Sequence, residues 1–506
     1  MNNFFKQSGV VLGFLLITAY AAPGQTNATQ SLTLAECVAM ALEHNLALQI
    51  EKLTSRSAQE DVRAALGGYD PQLTLSAQRA HTEIEGKPAE DDELLVGSGS
   101  DTDRDTYEAA IRGATVLGGL NYEVGAKLGR NEGTRSGNPF DTSTGSAGVT
   151  LTQPLLKGFT TDATRYQVTL ARKLSAEALV QLETAMANTI HDVEVAWFGL
   201  VQALESIAVQ EEALRLATQL YEDNRNKVQI GAMSILDEKQ AESQAAAARA
   251  DLSAAKQAYA EAQNRLKLLI FADHRQTAAT AIAPVGELVS EPVMTDVAAS
   301  SAQALEQRPE LRQARLALAR QDVVVAYQRD QTRPALNLVG NAGVAANDER
   351  DSSGVFRQLE SANEPYWSAG ITLAIPLGNR AAQARHEQSR LTADKMKLQL
   401  RQLEEQVLVE VDNAVNAVAA GYERLQATRD ARDYARQALL AEQRKLERGK
   451  STSFVVLQLQ RNLTAARNAA VQALMDYNKQ CANLALAEGA TLARYHITFA
   501  PPPPEK

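Results

Sequence analysis

The sequence predicts a mainly helical protein with a membrane β-barrel portion, in which one structural unit occurs twice along the chain. Three observations predict this fold class. Proline and glycine landmarks recur in the same order in both halves, proline-free stretches such as 159–230 have helical periodicity, and short segments alternate apolar with polar residues. Aromatic residues make up only 5% of the 506 residues, which favours long helices over compact α/β domains.

The N-terminus has the pattern of a secretory signal peptide. Lys6 precedes an apolar run at 10–17, and an A-x-A cleavage site follows at 19–21, so we expect a signal peptide at 1–21. A buried core helix is the alternative for this segment. No later stretch consists of eighteen consecutive apolar residues, so a position in a membrane would require a closed barrel.

Internal repeats define the domain organisation. We predict a first repeat at 32–286 and a second at 297–489, followed by a short C-terminal tail at 490–506. Chance similarity between alanine-rich helices would not reproduce both proline and glycine positions in order. The paired landmarks are the segments starting at Leu32 and Val297, Pro71 with Pro334, Pro154 with Pro376, and Gly231 with Gly449. Each repeat therefore contains helix, strand, loop, strand, long helix, turn and long helix.

Four segments beside these prolines have the period-two alternation of β-strands. In the second repeat, Trp367, Ile371 and Leu373 fall on one face of a strand, while Ser368 and Thr372 fall on the other. This alternation is typical of membrane barrel strands, and equally of half-buried strands in soluble proteins. Four strands cannot close a barrel, so several chains would have to share one. The predicted strands, which form two hairpins per chain, are 72–82, 145–154, 334–343 and 366–376.

The first strand hairpin is longer than the second. Pro71 and Pro154 are 83 positions apart, whereas Pro334 and Pro376 are 42 apart. The surplus includes the segment 106–130, which has the pattern of two further amphipathic strands around a Gly-Gly pair. We interpret this segment as an extension of an external hairpin, and an altered barrel is the alternative.

Long helical hairpins follow the strands in both repeats. The first is predicted at 159–271 with its turn at Gly231, and the second at 377–488 with its turn at Gly449. Apolar residues spaced by three and four define heptad seams, so neighbouring helices are expected to pack as coiled coils. The first helix of each hairpin would extend on the order of 100 Å at 1.5 Å per residue, which does not suit a compact globule.

Several segments carry a family resemblance that spans residues 32–489. The segments LTLAECVAMALEHN, QPLLKG, IPLGNR and RGKSTSFVVLQLQRNLTAARNAAVQALMDYNKQCANLALAEG resemble those of the TolC-like outer-membrane efflux factors. The resemblance implies a homotrimer in outer-membrane lipid, with a shared twelve-stranded barrel and an α-helical tunnel that reaches into the periplasm. It also implies a passive exit duct of a tripartite efflux or type I secretion system, for small molecules or exported polypeptides. Its partners would be a periplasmic adaptor (membrane fusion protein) and an inner-membrane transporter.

The same resemblance implies where the functional residues lie. The turns would form the periplasmic tips and dock the adaptor, and Asp237 would be a gate residue because the family has an acidic residue shortly after the first turn. Val455 and Gln458 occupy the positions after the second turn where the family often has acidic residues. The sequence therefore does not decide whether a charged selectivity ring exists. The implied tip and docking residues are Gly231, Ala232, Met233, Ser234, Gly449, Lys450, Ser451 and Thr452.

Other classes of protein fit the sequence less well. A periplasmic coiled-coil adaptor would normally have one helical hairpin, and a structural protein of an envelope transport complex would not need the proline-ended strands. Six scattered histidines and the lack of HExxH, CxxC, GxSxG and P-loop motifs argue against an enzyme, so we expect no catalytic residue, metal site or cofactor. The net charge of −10 argues against nucleic acid as a partner.

The two cysteines, Cys37 and Cys481, both fall on helical patterns. Two thiols cannot form a disulfide framework for a chain of this size. They could pair in the oxidising periplasm, but we favour two buried free thiols.

Overall fold

The computed structural model describes residues 29–84, 99–135, 138–278, 280–286, 288–349 and 352–497, so the predicted signal peptide and most of the predicted C-terminal tail lie outside the described residues. The chain divides into two compact units, each made of three segments. The first unit comprises Met1–Asn45, Val193–Val289 and Thr428–Met475, and the second comprises Leu46–Asp192, Ser290–Ala427 and Asp476–Lys506. Across the described ranges, none of the helices has both the length and the apolar character needed to cross a membrane.

Helices account for most of the described chain. Their bounds are α1 Leu34–His44, α2 Leu46–Leu66, α3 Ala163–Gln229, α4 Ile235–Ile270, α5 His274–Thr277, α6 Val297–Gln307, α7 Pro309–Gln331, α8 Ser352–Ser361, α9 Arg380–Glu447, α10 Ser453–Ala487 and α11 Thr491–Arg494. The strands are β1 Thr29–Leu32, β2 Gln72–Ile84, β3 Ser100–Ala114, β4 Asn121–Arg135, β5 Asn138–Pro154, β6 Ala281–Pro284, β7 Ala335–Glu349 and β8 Pro365–Ala374.

The helical elements occur in the same order in both halves of the chain. α1 and α2 are separated at Asn45, and α6 and α7 at Arg308; both of these residues have extended backbone that interrupts the helix. The long helices α3 and α9 contain 67 and 68 residues and are each followed, after a short turn, by a helix of 36 or 35 residues. Together with the strands below, this confirms the predicted fold class.

Leucine and alanine are the main residues of two buried clusters in the helical part of the first unit. Leu220 of α3 packs in a buried cluster with Leu439 of α9 and with Leu457 and Leu463 of α10. The buried residues of a second cluster are Ala217 of α3 and Ala245 and Ala248 of α4, with the partly buried Leu214 packed against them. Because alanine side chains are small, the backbones of helices in such a seam can approach closely.

Both cysteines are free and buried, as the sequence analysis favoured. Cys37 lies on α1 in the first unit and Cys481 on α10 in the second. Desolvation by burial raises the pKa of the Cys37 thiol to about 12, so this thiol is protonated at neutral pH.

The second unit contains a six-stranded antiparallel sheet with the order β2-β3-β4-β5-β7-β8. β2 pairs with β3 along its whole length, from Gln72 opposite Arg112 to Ile84 opposite Ser100. β4 pairs with β5 in the same continuous way, and β5 pairs with β7 from Thr142 opposite Glu349 onward. The sheet therefore joins strands of both halves of the chain.

The segment 106–130 is not an extension of an external hairpin, and that interpretation is wrong. It forms most of β3 and β4, which lie inside the sheet between β2 and β5. The backbone groups of both strands are occupied by ladder hydrogen bonds to neighbours on either side, so the segment adds two strands to the wall of the sheet. The predicted strands 72–82 and 145–154 consequently do not pair with each other.

Candidate functional site

Two tight turns join the long helices of the first unit. The first lies between the end of α3 at Gln229 and the start of α4 at Ile235, and the second between the end of α9 at Glu447 and the start of α10 at Ser453. These turns contain the eight residues for which the family resemblance implies a role at the periplasmic tips.

Each turn is built around a glycine in the left-handed region, with φ of +75° at Gly231 and +67° at Gly449. The N–H of Gly231 donates to the Val228 carbonyl at 3.0 Å, and the next N–H, that of Ala232, donates to the Lys227 carbonyl at 2.7 Å. This pair of hydrogen bonds is a Schellman motif, which satisfies carbonyls at the helix end.

The second turn repeats this geometry. The N–H of Gly449 donates to the Leu446 carbonyl at 3.0 Å, and that of Lys450 donates to the Lys445 carbonyl at 2.8 Å. A Cβ added to either turn glycine would meet no atom within 4 Å. Glycine is therefore required at both turns by backbone conformation and not by lack of space.

Most of the tip residues are exposed, and both turns are flanked by apolar side chains that face solvent. Met233 and Ser451 are half-buried, whereas the other six assigned residues are exposed. The exposed apolar neighbours are Ile230, Ile235 and Leu236 at the first turn and Phe454 and Val455 at the second. This exposed surface was not predicted from the sequence, because these residues continue the apolar pattern of the helices.

A buried asparagine links the two turns. The side-chain amide of Asn224 on α3 donates to Ser453 Oγ at 2.6 Å and to the backbone carbonyl of Asp237 at 3.1 Å. Asn224 is fully buried and Ser453 is 1% exposed. One α3 side chain thus holds the first turns of α4 and α10, and the Asn224 Oδ1 atom has no hydrogen-bond partner within the described residues. The sequence signal for this role is that Asn224 lies four residues from each of the apolar residues Leu220 and Val228, on the same helix face.

Asp237 lies in the first turn of α4, next to Glu238. The helix begins at Ser234, whose Oγ accepts from the Leu236 N–H at 3.2 Å as an N-cap. Acidic side chains at this end of a helix interact favourably with its dipole. The contact that links Asp237 to Asn224 uses the backbone carbonyl, which leaves the carboxylate for other interactions.

The second turn has its own carboxylate, but on the helix before the turn. Glu442 Oε1 accepts from Ser451 Oγ at 2.5 Å, and Glu442 Oε2 accepts from Lys445 Nζ at 2.8 Å. The Lys445 ammonium, and after it the Ser451 hydroxyl, hold the pKa of the Glu442 carboxyl below its ordinary value. Glu442 lies before the turn, whereas the family resemblance pointed only to positions after it; the Glu-x-x-Lys spacing was the available signal in the sequence.

The four prolines assigned to strand ends all lie in the second unit. Pro71 directly precedes β2 and Pro334 directly precedes β7, while Pro154 is the last residue of β5 and Pro376 follows β8 by two positions. Since proline lacks an N–H donor, these positions suit the ends of ladders. Within the part of the chain that the structure describes, no group of three His, Cys, Asp or Glu side chains could hold a metal ion.

The chain matches the family model of the outer membrane efflux protein over residues 100–270 and 301–490. No curated protein sequence matches the chain.

Several solved structures share the fold. The Campylobacter jejuni CmeC outer membrane channel is 16% identical, with a TM-score of 0.66 over 90% of this chain and 86% of that one. The outer membrane protein VceC from Vibrio cholerae is 17% identical, with a TM-score of 0.65 over 90% and 96% of the two chains. CusC is also 17% identical, with a TM-score of 0.67 over 93% and 95%.

The family match covers well over half of the sequence and includes parts of both repeats. Members of this family are channels that form trimers and are not enzymes. The chain therefore belongs to the outer membrane efflux protein family and is an efflux channel of the outer membrane that extends into the periplasm.

Proposed function

We propose that this channel is the exit duct of a tripartite efflux or type I secretion system, and that the turns at Gly231 and Gly449 form its periplasmic gate. The observation that carries the proposal is the pair of matching glycine turns, each at the end of a helix of 67 or 68 residues. A periplasmic adaptor and an inner-membrane transporter would complete the path, and outer-membrane lipid would surround the sheet.

The domains that we propose for the chain agree with this role as a duct. Residues 1–21 are removed as a signal peptide, and the repeats 32–286 and 297–489 each contribute one helical hairpin to the duct. The tail at 490–506 lies beyond the second repeat. Each repeat then supplies one tip turn, so a trimer presents six turns at its periplasmic end.

Adaptor docking would use the exposed apolar side chains beside the turns. Ile235 and Leu236 are 66% and 65% exposed, and Phe454 is 59% exposed. Exposed apolar side chains mark interaction sites, and here they follow the turn residues Met233 and Lys450 within four positions of the chain. The carboxylate of Asp237 would face the neighbouring copy or the lumen and contribute to the closed state.

The gate would be held closed partly by the buried link through Asn224. Its two hydrogen bonds keep the first turns of α4 and α10 against α3. A typical hydrogen bond contributes about 1 kcal/mol to stability, so a link of this size is small enough for adaptor contacts to overcome. Open and closed states separated by a few kcal/mol are what a gate requires.

Proline substitution at the turns tests this proposal. Proline cannot adopt a positive φ and lacks the N–H that each turn glycine donates, so Gly231→Pro and Gly449→Pro should abolish efflux. Ethidium accumulation in cells that carry only the variant gene measures efflux, and immunoblots of outer membranes measure the trimer. Normal efflux in both variants would refute the gate, and loss of the trimer in both would show that the turns serve folding instead.

Docking is tested separately by a photo-crosslinking residue placed at Ile235. The matched control is Leu268, which is also on α4 and is 72% exposed. We expect an adduct with the purified adaptor at Ile235 but not at Leu268. Equal labelling of the two positions, or labelling of Leu268 alone, would contradict docking at the turn.

A further inference from the structure

The sheet of the second unit has two free edges and too few strands to close on itself. Among the described residues, the outer edges of β2 and β8 have no strand partner. Unpaired backbone groups are not tolerated in hydrocarbon, and the smallest membrane barrels have eight strands. Each of the six strands has at least ten residues, which is enough to cross a bilayer as a tilted strand.

The two faces of the inserted strands have the residue pattern of a membrane barrel wall. Directly paired residues lie on one face, and one row is apolar on all six strands. This row is Leu73, Ile111, Val124, Val149, Ala342 and Trp367. The row two positions along is Leu75, Ala109, Ala126, Ala147, Val344 and Pro365, which is again apolar throughout.

The opposite face has mostly small and polar residues across the same strands. Its row between these two apolar rows has small residues on five strands and Tyr366 on β8. The adjacent row is polar throughout: Gln72, Arg112, Glu123, Thr150, Asn341 and Ser368. Arg112 forms ion pairs with Glu108 at 2.8 Å and with Glu123 at 3.0 Å. These charges lie on β3 and β4, so over residues 107–112 and 123–128 the inserted hairpin has one lipid-type face and one face suited to a wet lumen. Beyond this band the first face becomes charged, at Asp105 and Arg130, as expected outside the hydrocarbon.

The turn between β3 and β4 is hydrogen-bonded to the end of β5 and to the start of α3. Gly118 and Gly119 both have positive φ, and the Leu120 N–H donates to the Leu117 carbonyl, which defines a type I′ turn. Gln153 Nε2 donates to the Gly118 carbonyl at 2.7 Å.

A second anchor comes from the helix that follows the sheet. The Arg165 guanidinium at the start of α3 donates to the Val116 carbonyl in the same turn and to the Thr160 carbonyl. A Cβ at Gly119 would lie 2.7 Å from the Gly158 carbonyl oxygen, so the turn is seated closely against the segment that leads into α3. The β3–β4 hairpin therefore spans the full length of the sheet, and its turn lies at the end of the sheet from which α3 begins.

We propose that three copies of this chain close an 18-stranded barrel, with β8 of one copy paired to β2 of the next. Five successive antiparallel pairings leave β2 and β8 running in opposite directions, so β8 against the next copy's β2 continues the antiparallel order. The inserted hairpin preserves this order because it adds two strands. The inference rests on the trimer of the family and deepens the proposed exit duct.

The consequence is a wider outer part of the duct. At about 4.8 Å between strands and about 40° of tilt, 18 strands enclose a backbone diameter of about 36 Å, against about 24 Å for 12 strands. The barrel would be about 1.5-fold wider than the twelve-stranded one that the sequence resemblance implied. Its lumen would pass solutes that a twelve-stranded wall excludes, so the barrel would not set the size limit of the duct.

Electron cryomicroscopy of the full-length trimer in lipid nanodiscs tests the inference directly. A ring of 18 strands that includes β3 and β4 is expected. A ring of 12 strands, with β3 and β4 outside the wall, would overturn it, as would a ring formed by a number of copies other than three. An 18-stranded trimer without efflux would overturn the proposed duct alone, and an efflux-competent trimer with 12 strands would overturn this inference alone.

A deletion variant provides a second measurement. Removal of residues 100–135 takes out both inserted strands and keeps the antiparallel order. Polyethylene glycols of graded size, added to the outer side of single channels in planar bilayers, report the width of the outer lumen. We expect the cut-off diameter for entry to be about 1.5-fold larger for the wild type than for the deletion variant. Equal cut-offs for two folded channels would refute the wider wall. If the deletion variant does not insert into the bilayer, the strand count of the wild type by electron cryomicroscopy tests the inference instead.

Discussion

The side-chain amide of Asn224 donates a 2.6 Å hydrogen bond to the Oγ of Ser453, a residue 229 positions further along the chain. Asn224 also donates to the backbone carbonyl of Asp237, so it contacts the helix that follows each turn. The two acceptors lie in the first turns of different helices, Asp237 in α4 and Ser453 in α10. Ser453 has almost no access to water. A single buried amide thus connects the two repeats at the position of the proposed gate.

We expect Asn224→Ala to destabilise the first unit by about 1–3 kcal/mol, because it leaves the Ser453 hydroxyl buried without its donor. The variant channel should also be leakier at rest. Thermal unfolding of the purified trimer and single-channel recordings measure the two effects. Asn226→Ala is the matched control, since Asn226 lies on the same helix and is exposed. Equal melting temperatures of the two variants would contradict the role of Asn224.

Alanine at a turn glycine and at an interior glycine should change stability in opposite directions. Gly231→Ala places a Cβ on a residue with φ of +75° and should cost about 1–2 kcal/mol. Gly199→Ala, in the middle of α3, should instead stabilise the helix by about 0.5–1 kcal/mol. Neither added Cβ would meet an atom within 4 Å, so only backbone conformation differs. Melting temperatures of the solubilised trimers measure both changes, and shifts of the same sign would be inconsistent with this account.

Removal of the carboxylate at Asp237 should weaken the closed gate. We expect Asp237→Ala to raise the resting conductance of single channels, while Glu238→Ala, one position further along the same helix turn, serves as the control. Because Asp237 reaches Asn224 through its backbone carbonyl, the substitution leaves the buried link intact. An unchanged resting conductance at neutral pH would rule out the gate role of this side chain.

The second turn should lose a stabilising contribution in acid. The pKa of Glu442 in the folded chain is below its ordinary value of 4.5, because Lys445 and Ser451 donate to the ionised carboxylate. A lowered pKa means that the contribution is fully present above pH 4.5 and is lost as the pH falls through the pKa of the folded state. We expect wild type to melt above Glu442→Gln at pH 7, and this difference to disappear in strong acid. A difference that grows on acidification would reverse the assigned sign.

Arginine on the apolar face of an inserted strand should block assembly. Ile111 lies in the apolar row, so Ile111→Arg should cost about 2–4 kcal/mol if this face meets lipid. Thr106→Arg is the control on the opposite face of β3, where the row contains polar and small residues. The yield of trimer in outer membranes measures assembly. Equal yields of both variants would indicate that β3 does not contact lipid.

Periodicity and landmarks in the sequence were sufficient for the fold class. The heptad seams and proline-free stretches gave the long helices, because the spacing of apolar side chains reflects the helix period. Gly231 and Gly449 marked the turns, since few other residues adopt positive φ at a helix end. The prolines placed strand ends for a similar reason, as each removes a hydrogen-bond donor from the ladder.

The neighbours of each strand and the partners of each polar side chain were decided only by the tertiary structure. The amphipathic pattern of 106–130 is the same for strands inside a sheet and for strands in an external hairpin, because alternation records two different faces but not the adjacent strand. The placement of β3 and β4 depends on long-range ladders to β2 and β5. The link from Asn224 to Ser453 joins helices from different repeats, and no local pattern encodes a contact that depends on how those helices pack. The sequence by itself therefore determined the helices, turns and strand ends, and the tertiary structure decided the six-stranded sheet and the buried link between the turns.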